Sequence, residues 1–230
     1  MSEYNQLIQI ATDYGVPLDT VVLILMIPIV VTIITFLRQV VGIKAFGIYT
    51  PAMITFAFYS IGLQAGNFNK GVKYGTSIFV MVITIGTLSR ILLRRFRLLY
   101  LPRMAIVITL VSFATLAVLI VGGFFHRTGL AQVSIFPILI MITLVEKFVA
   151  TQIEKGSRTA VILSLETLAI SLISYFFIQW QPLRNFIQQY PWVVFATIFI
   201  NLLLGRWTGL RLAEYIRFKD LINGKNVSKK

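Results

Sequence analysis

Seven long apolar stretches fall one after another in this chain, at 20–37, 46–63, 74–93, 104–125, 131–145, 159–180 and 190–205. A run of about 20 apolar residues is what a helix needs to cross the hydrocarbon of a bilayer. In lipid only helices and closed barrels satisfy their own backbone polar groups. The stretches lack the two-residue alternation of barrel strands, so helices are predicted. The composition agrees: 57% of residues are hydrophobic and 13% charged, where soluble chains carry about 25% charged residues. The expected fold is all-α, a polytopic membrane protein with seven transmembrane helices. Residues 1–19 precede the spans, 20–205 hold them, and 206–230 form a basic tail.

Two of the stretches are irregular. The second carries Gly47, Thr50, Pro51, Ser60 and Gly62 and reads as kinked or broken. The fifth is short for a span and is expected to continue through 148–153, bringing Glu146 and Lys147 to the membrane edge. Before the first span, Tyr4, Leu7, Ile8, Ala11 and Tyr14 recur at helical spacing, which predicts an amphipathic surface helix. Pro17 would end it and Asp19 would cap the first span. Leu212, Tyr215, Ile216 and Lys219 predict a second interfacial helix in the tail.

The formal charge is +13, and its distribution sets a direction. Seventeen of the 21 Lys and Arg fall on one side of the predicted bundle. They include Arg38 and Lys44, five from Arg90 to Arg103, three from Lys147 to Arg158, and seven after Gly205. Lys70, Lys73, Arg127 and Arg184 fall on the other. The positive-inside rule then predicts an outer N-terminus and a cytoplasmic C-terminus in a bacterial inner membrane. Basic loops beside anionic headgroups explain the charge without nucleic acid. No cysteine and one histidine, His126, leave no thiolate nucleophile and no multi-histidine metal site. Neither a cofactor nor an enzymatic activity is expected.

Polar residues inside the apolar runs are the candidate functional groups, because lipid makes them costly. Glu166 lies about 10 Å into the sixth span at helical rise. By depth its neighbours would be Asn201, Glu146 and Arg38, forming a vestibule open to the cytoplasm that binds an anion or passes a proton. The structural alternative is a protonated Glu166 bonded to Asn201 for packing; loss of activity in Glu166→Gln would speak for the charged role. Pro51 and Pro137 would break helices around the vestibule. They occupy similar places in Gly47-Ile-Tyr-Thr-Pro51 and Val133-Ser-Ile-Phe-Pro137, which fits an inverted three-plus-three repeat or the ordinary use of proline in membrane helices. Arg90, Arg94, Arg95 and Arg97 form a cluster suited to lipid or phosphate contact, although the positive-inside rule also accounts for them. Gly205-Arg-Trp-Thr-Gly209 has the spacing of a close helix contact.

Three segments carry a resemblance: Arg38-Gln-Val-Val-Gly-Ile-Lys-Ala-Phe-Gly-Ile-Tyr-Thr-Pro51, Leu101-Pro-Arg-Met-Ala, and Phe136-Pro-Ile-Leu-Ile-Met-Ile-Thr-Leu-Val-Glu146-Lys. Together they resemble the bacterial seven-transmembrane-helix domains usually fused to an inactive transglutaminase-like domain. That resemblance implies association with an amide-forming ligase of the ATP-grasp type. A weaker likeness, at Pro51, Ser89-Arg90-Ile-Leu and Phe136-Pro137, is to the membrane subunit of poly-γ-glutamate capsule synthesis. With 19 residues before the first span, any extracytoplasmic partner is expected to be a separate chain or to lie outside these 230 residues. The expected role is a non-catalytic membrane subunit of an envelope peptide or polymer system. In it Arg38 would contact the anion, Glu146 would orient Arg38, and Glu166 with Asn201 would relay a proton. An autonomous transporter of a small anion and an inert scaffold are the alternatives. Anionic lipid is an expected partner throughout, and a homo-oligomer is compatible with each reading.

Overall fold

The computed structural model describes residues 6–64, 66–93, 95–96, 99–124 and 135–206. No strand occurs among them. The elements are α1 (Gln6–Asp13), α2 (Leu18–Phe36), α3 (Tyr49–Gln64), α4 (Phe68–Leu93), α5 (Tyr100–Phe124), α6 (Ile135–Lys155), α7 (Ser157–Gln179), α8 (Gln181–Gln189) and α9 (Ala196–Gly205). A π-helical turn, Leu37–Val41, extends α2, and a 3₁₀ turn, Pro191–Phe195, leads into α9.

Five helices are long and apolar enough to cross a membrane: α2 with its π turn, α4, α5, α6 and α7. The α8 segment and the helix that follows it meet at 104°, and would make a sixth crossing if they form one broken span. The second predicted span, α3, has only 16 residues, about 24 Å at helical rise against a core of about 30 Å. The fifth stretch does run on as foreseen, through Lys155.

Direction alternates through the bundle. Arg38 at the end of α2 shares a cleft with Thr159 at the start of α7. At the opposite end Asp19 of α2 meets Arg184 of α8 at 3.4 Å. Arg90 near the end of α4 donates to Ser157 Oγ at 2.8 Å, which places it at the α2–α7 basic end. Tyr175, late in α7, stacks on Phe68 at the start of α4, with ring centroids 4.9 Å apart. Asp19 therefore serves an ion pair in the first turn of α2, and makes no side-chain cap there.

The short helix α3 lies at the centre, packed by α2, α4, α6 and α7. Its small and mid-sized residues Ala52, Thr55, Ala57, Ile61 and Gly62 are buried, as are Phe58 and Tyr59. Long apolar side chains of α5 and α9, such as Phe113, Leu116, Phe199 and Leu203, stay exposed. That is the pattern of an outer shell solvated by lipid around a protein-buried helix.

Glycines set the α3–α4 spacing. A Cβ at Gly71 would stand 2.8 Å from Gly62 Cα and 3.0 Å from the Phe58 carbonyl, and would collide with the Tyr175 hydroxyl. A Cβ at Gly75 would collide with the Phe58 ring. Such close backbone approach by small residues is how membrane helices gain van der Waals contact where no hydrophobic drive exists. At Gly205 the added Cβ would meet nothing within 4 Å. Gly209 lies outside the described residues.

Candidate functional site: two basic-end clefts around a non-helical segment

Between α2 and α3 the chain leaves helical geometry. The π turn closes with the Gly42 and Ile43 N–H groups both donating to the Leu37 carbonyl, at 3.0 and 3.2 Å. Gly42 and Gly47 have φ of +91° and +72°, a region where side-chain-bearing residues are strained and glycine is not. Residues 42–48 then run without regular structure. Non-helical backbone within a membrane bundle persists where protein groups satisfy it or where it lines a cavity. Both conditions hold here.

The satisfying groups come from α7. The Lys44 N–H donates to Glu166 Oε2 at 2.8 Å, and the Phe46 N–H donates to Thr167 Oγ1 at 3.2 Å. One turn further, Ser171 Oγ lies 3.1 Å from the Pro51 carbonyl. That carbonyl also receives the Thr55 hydroxyl at 2.7 Å. Thus α7 presents Glu166, Thr167 and Ser171 as a polar seam that fastens the non-helical segment and the first turn of α3. Glu166 accepts the Lys44 backbone hydrogen bond at an exposed position beside the clefts.

Two clefts adjoin this segment. The first, of about 480 Å³, is lined by Arg38, Lys44 and Lys155 with Thr35, Gln39 and Thr159, and no acidic residue borders it. The second, of about 570 Å³, is bordered by Tyr49, Thr50, Tyr100, Glu146, Lys147, Glu154 and Lys155. Ala45, Lys155 and Leu163 border both, so the two clefts are neighbours that share these residues as a wall. Three cations around an acid-free cavity make a site for anionic groups. Among the described residues no group of three or more His, Cys, Asp or Glu is placed to hold a metal.

The predicted vestibule residues are therefore only partly together. Arg38 lines the first cleft and Glu146 the second. Glu166 holds the backbone between them. Asn201 is elsewhere: its Nδ2 donates to Thr32 Oγ1 at 2.8 Å and to the Thr197 carbonyl at 2.9 Å, tying α9 to α2. The expected Glu166–Asn201 pair is absent, because Asn201 finds partners at its own depth on α2 and α9. Pro51 and Pro137 are each the third residue of a helix, α3 and α6. Their missing N–H costs no intrahelical bond in the first turn, so neither breaks a helix. The break lies upstream at 42–48, and the proline within a helix is Pro28 of α2. Of the arginine cluster, Arg90 is bonded to Ser157 and Arg95 is exposed. Arg94, Arg97, His126, Arg127 and the predicted tail helix lie outside the described residues.

Lys44 and Lys155 were not singled out as site residues from the sequence, nor was Glu154. The signal available was local: Lys44 sits between Gly42 and Gly47, two positions able to leave helical geometry, directly after an apolar span.

A family model described as seven transmembrane helices, usually fused to an inactive transglutaminase, matches residues 14–222. No curated protein and no solved structure matches the chain.

Proposed function

The chain belongs to the family of seven-transmembrane-helix domains usually fused to an inactive transglutaminase, and from that premise we propose that it is a non-catalytic membrane subunit of an envelope peptide or polymer system. Its part is to hold an anionic, polyglutamate-like chain at the basic end of the bundle, alongside a separate amide ligase of the ATP-grasp type. The basic end faces the cytoplasm of a bacterial inner membrane, in line with the positive-inside rule. The seven crossings are completed by α3, with 42–48 supplying the depth its 16 residues lack, and by the bent α8–α9 pair.

One observation carries this reading: the cleft walled by Arg38, Lys44 and Lys155 with no acid on its border. Its volume is in the range of sites for drug-sized ligands, about 300–1,000 Å³, and exceeds what a single small anion fills. That favours a stretch of polymer over the small-anion transporter. The transporter reading keeps one supporting observation, the non-helical segment inside the bundle, which is where transporters bind solutes.

Two measurements test the proposal. Tagged protein purified from its native membrane should bring down an amide ligase; a preparation that repeatedly carries none would count decisively against a ligase-linked role. Purified protein should also bind short poly-γ-glutamate. The double variant Arg38→Gln/Lys155→Gln should weaken that binding by about tenfold or more, the equivalent of 1.4 kcal/mol. Wild-type affinity should fall as salt rises, because these charges are screened over about 8–10 Å at 0.1–0.15 M. Binding indifferent to both salt and the double variant would remove the basic cleft from the function.

A further inference from the structure

The two clefts differ in charge in a way that a simple anion site does not require. The first has three cations and no acid. The second contains two carboxylates of α6, Glu146 and Glu154, eight residues or about two turns apart, together with Lys147 and the shared Lys155. These acids could have neutralised the cations next to them. Among the described residues they do not: Arg38, Lys44, Lys155, Glu146 and Glu154 make no ion pair with one another or with any other group. These side chains are exposed or half-buried, so water solvates them, and a ligand carrying counter-charges can replace that water along the groove formed by the two neighbouring clefts.

From this segregation we infer that the groove binds a zwitterionic chain end. The carboxylates of the chain lie in the Arg38–Lys44–Lys155 cleft, and its free amino terminus lies in the cleft bordered by Glu146 and Glu154. This deepens the polymer-holding role and rests on it, since it names which part of the chain is recognised. A ligand with carboxylates alone can use only the first cleft. A ligand bearing both groups can reach from one cleft to the other across Ala45 and Leu163, which line both. The tyrosines Tyr49 and Tyr100, which border the second cleft, add rings whose faces attract an ammonium group. The groove thus distinguishes an end of the polymer from its interior, and an amino-bearing end from an acylated one.

The experiment changes the ligand before it changes the protein. Tri-γ-glutamate with a free amino terminus, and the same peptide N-acetylated, are titrated calorimetrically into the purified full chain at fixed salt and pH 7. The free-amine peptide is expected to bind at least about tenfold tighter. In Glu146→Gln/Glu154→Gln that preference should vanish while affinity for the acetylated peptide stays within about twofold of wild type. Equal binding of the two peptides by the wild-type protein overturns the inference and leaves the anion-holding role standing. Binding of neither peptide overturns both. A preference that survives in the double variant places the amine elsewhere and equally overturns the assignment to Glu146 and Glu154.

Discussion

Gly71→Val is expected to be among the most damaging single substitutions in the bundle, with little folded protein recovered from the membrane. The new side chain begins with a Cβ pressed on the Tyr175 hydroxyl, 2.8 Å from Gly62 Cα and 3.0 Å from the Phe58 carbonyl. Two of these three neighbours are backbone and cannot rotate away. Tyr175 is itself fixed, stacked on Phe68 at 4.9 Å and edge-on to Phe58 at 6.2 Å, with its hydroxyl 3.3 Å from the Phe68 carbonyl. Relief must come by separating α3 from α4, which also loosens Phe58 where it fills the space over Gly75. Overpacking of this kind costs about 1–3 kcal/mol and occasionally more, and backbone contact puts this site at the upper end. Gly205→Ala is the matched control. Its added methyl meets open space, and removing a glycine from a helix gains up to about 1 kcal/mol. Thermal unfolding in detergent, followed by loss of monodisperse protein, should show a large fall in Tm for Gly71→Val and none for Gly205→Ala. A Gly71→Val protein as stable as wild type would mean that the α3–α4 crossing is not held by close backbone contact.

The helices that lipid surrounds were the most legible part of the fold. Predicted spans 104–125 and 159–180 differ by only a few residues from Tyr100–Phe124 and Ser157–Gln179, because hydrocarbon demands an unbroken apolar run and the sequence must supply it. Where a helix runs past the hydrocarbon to exposed positions, that demand relaxes. The first turns of α4 hold Asn69, Lys70 and Lys73, so the apolar pattern starts late although the helix begins at Phe68. The helix α8 is polar over Gln181, Arg184, Asn185 and Gln188 and reads as loop; Ile187 turns inward on Val22 and Met26 and holds it in place. At the site, Glu166 was identifiable by its cost at depth, but its partner was not. Depth ranks side chains with side chains, whereas Glu166 found a backbone N–H 122 positions away. The glycine pair Gly71 and Gly75, with Gly62 opposite, carries the small-residue spacing of close helix contact. That signal was read only at Gly205 and Gly209, of which Gly205 has open space beside it.

Glu166 should behave as a backbone acceptor, and the choice of replacement separates that role from a proton relay. Glu166→Ala leaves the Lys44 N–H without its partner in a segment that has no helical bonds to fall back on. The bond lies at an exposed position, where losing an intramolecular hydrogen bond costs about 0.5–1.5 kcal/mol, equivalent to about two- to tenfold in the population of the opened segment. Hydrogen–deuterium exchange at residues 42–48 should quicken by that factor, while exchange in the middle of α5, which does not touch the segment, should stay as it is. Affinity for the anionic chain should fall with it, because Lys44 lines the first cleft and Ala45 borders both. Glu166→Gln keeps a carbonyl oxygen at nearly the same place and should retain most of the protection and most of the binding. A proton relay predicts the reverse for glutamine: normal protection with function abolished. Thr167→Val supplies an independent check, since it removes the acceptor of the Phe46 N–H and carries no charge to confuse the reading. If alanine at 166 leaves exchange at 42–48 unchanged, the segment is held by something other than α7. The seam of Glu166, Thr167 and Ser171 would then lose its claim to shape the clefts, because the fold would keep the same backbone without the hydrogen bond that best explains a carboxylate at that depth.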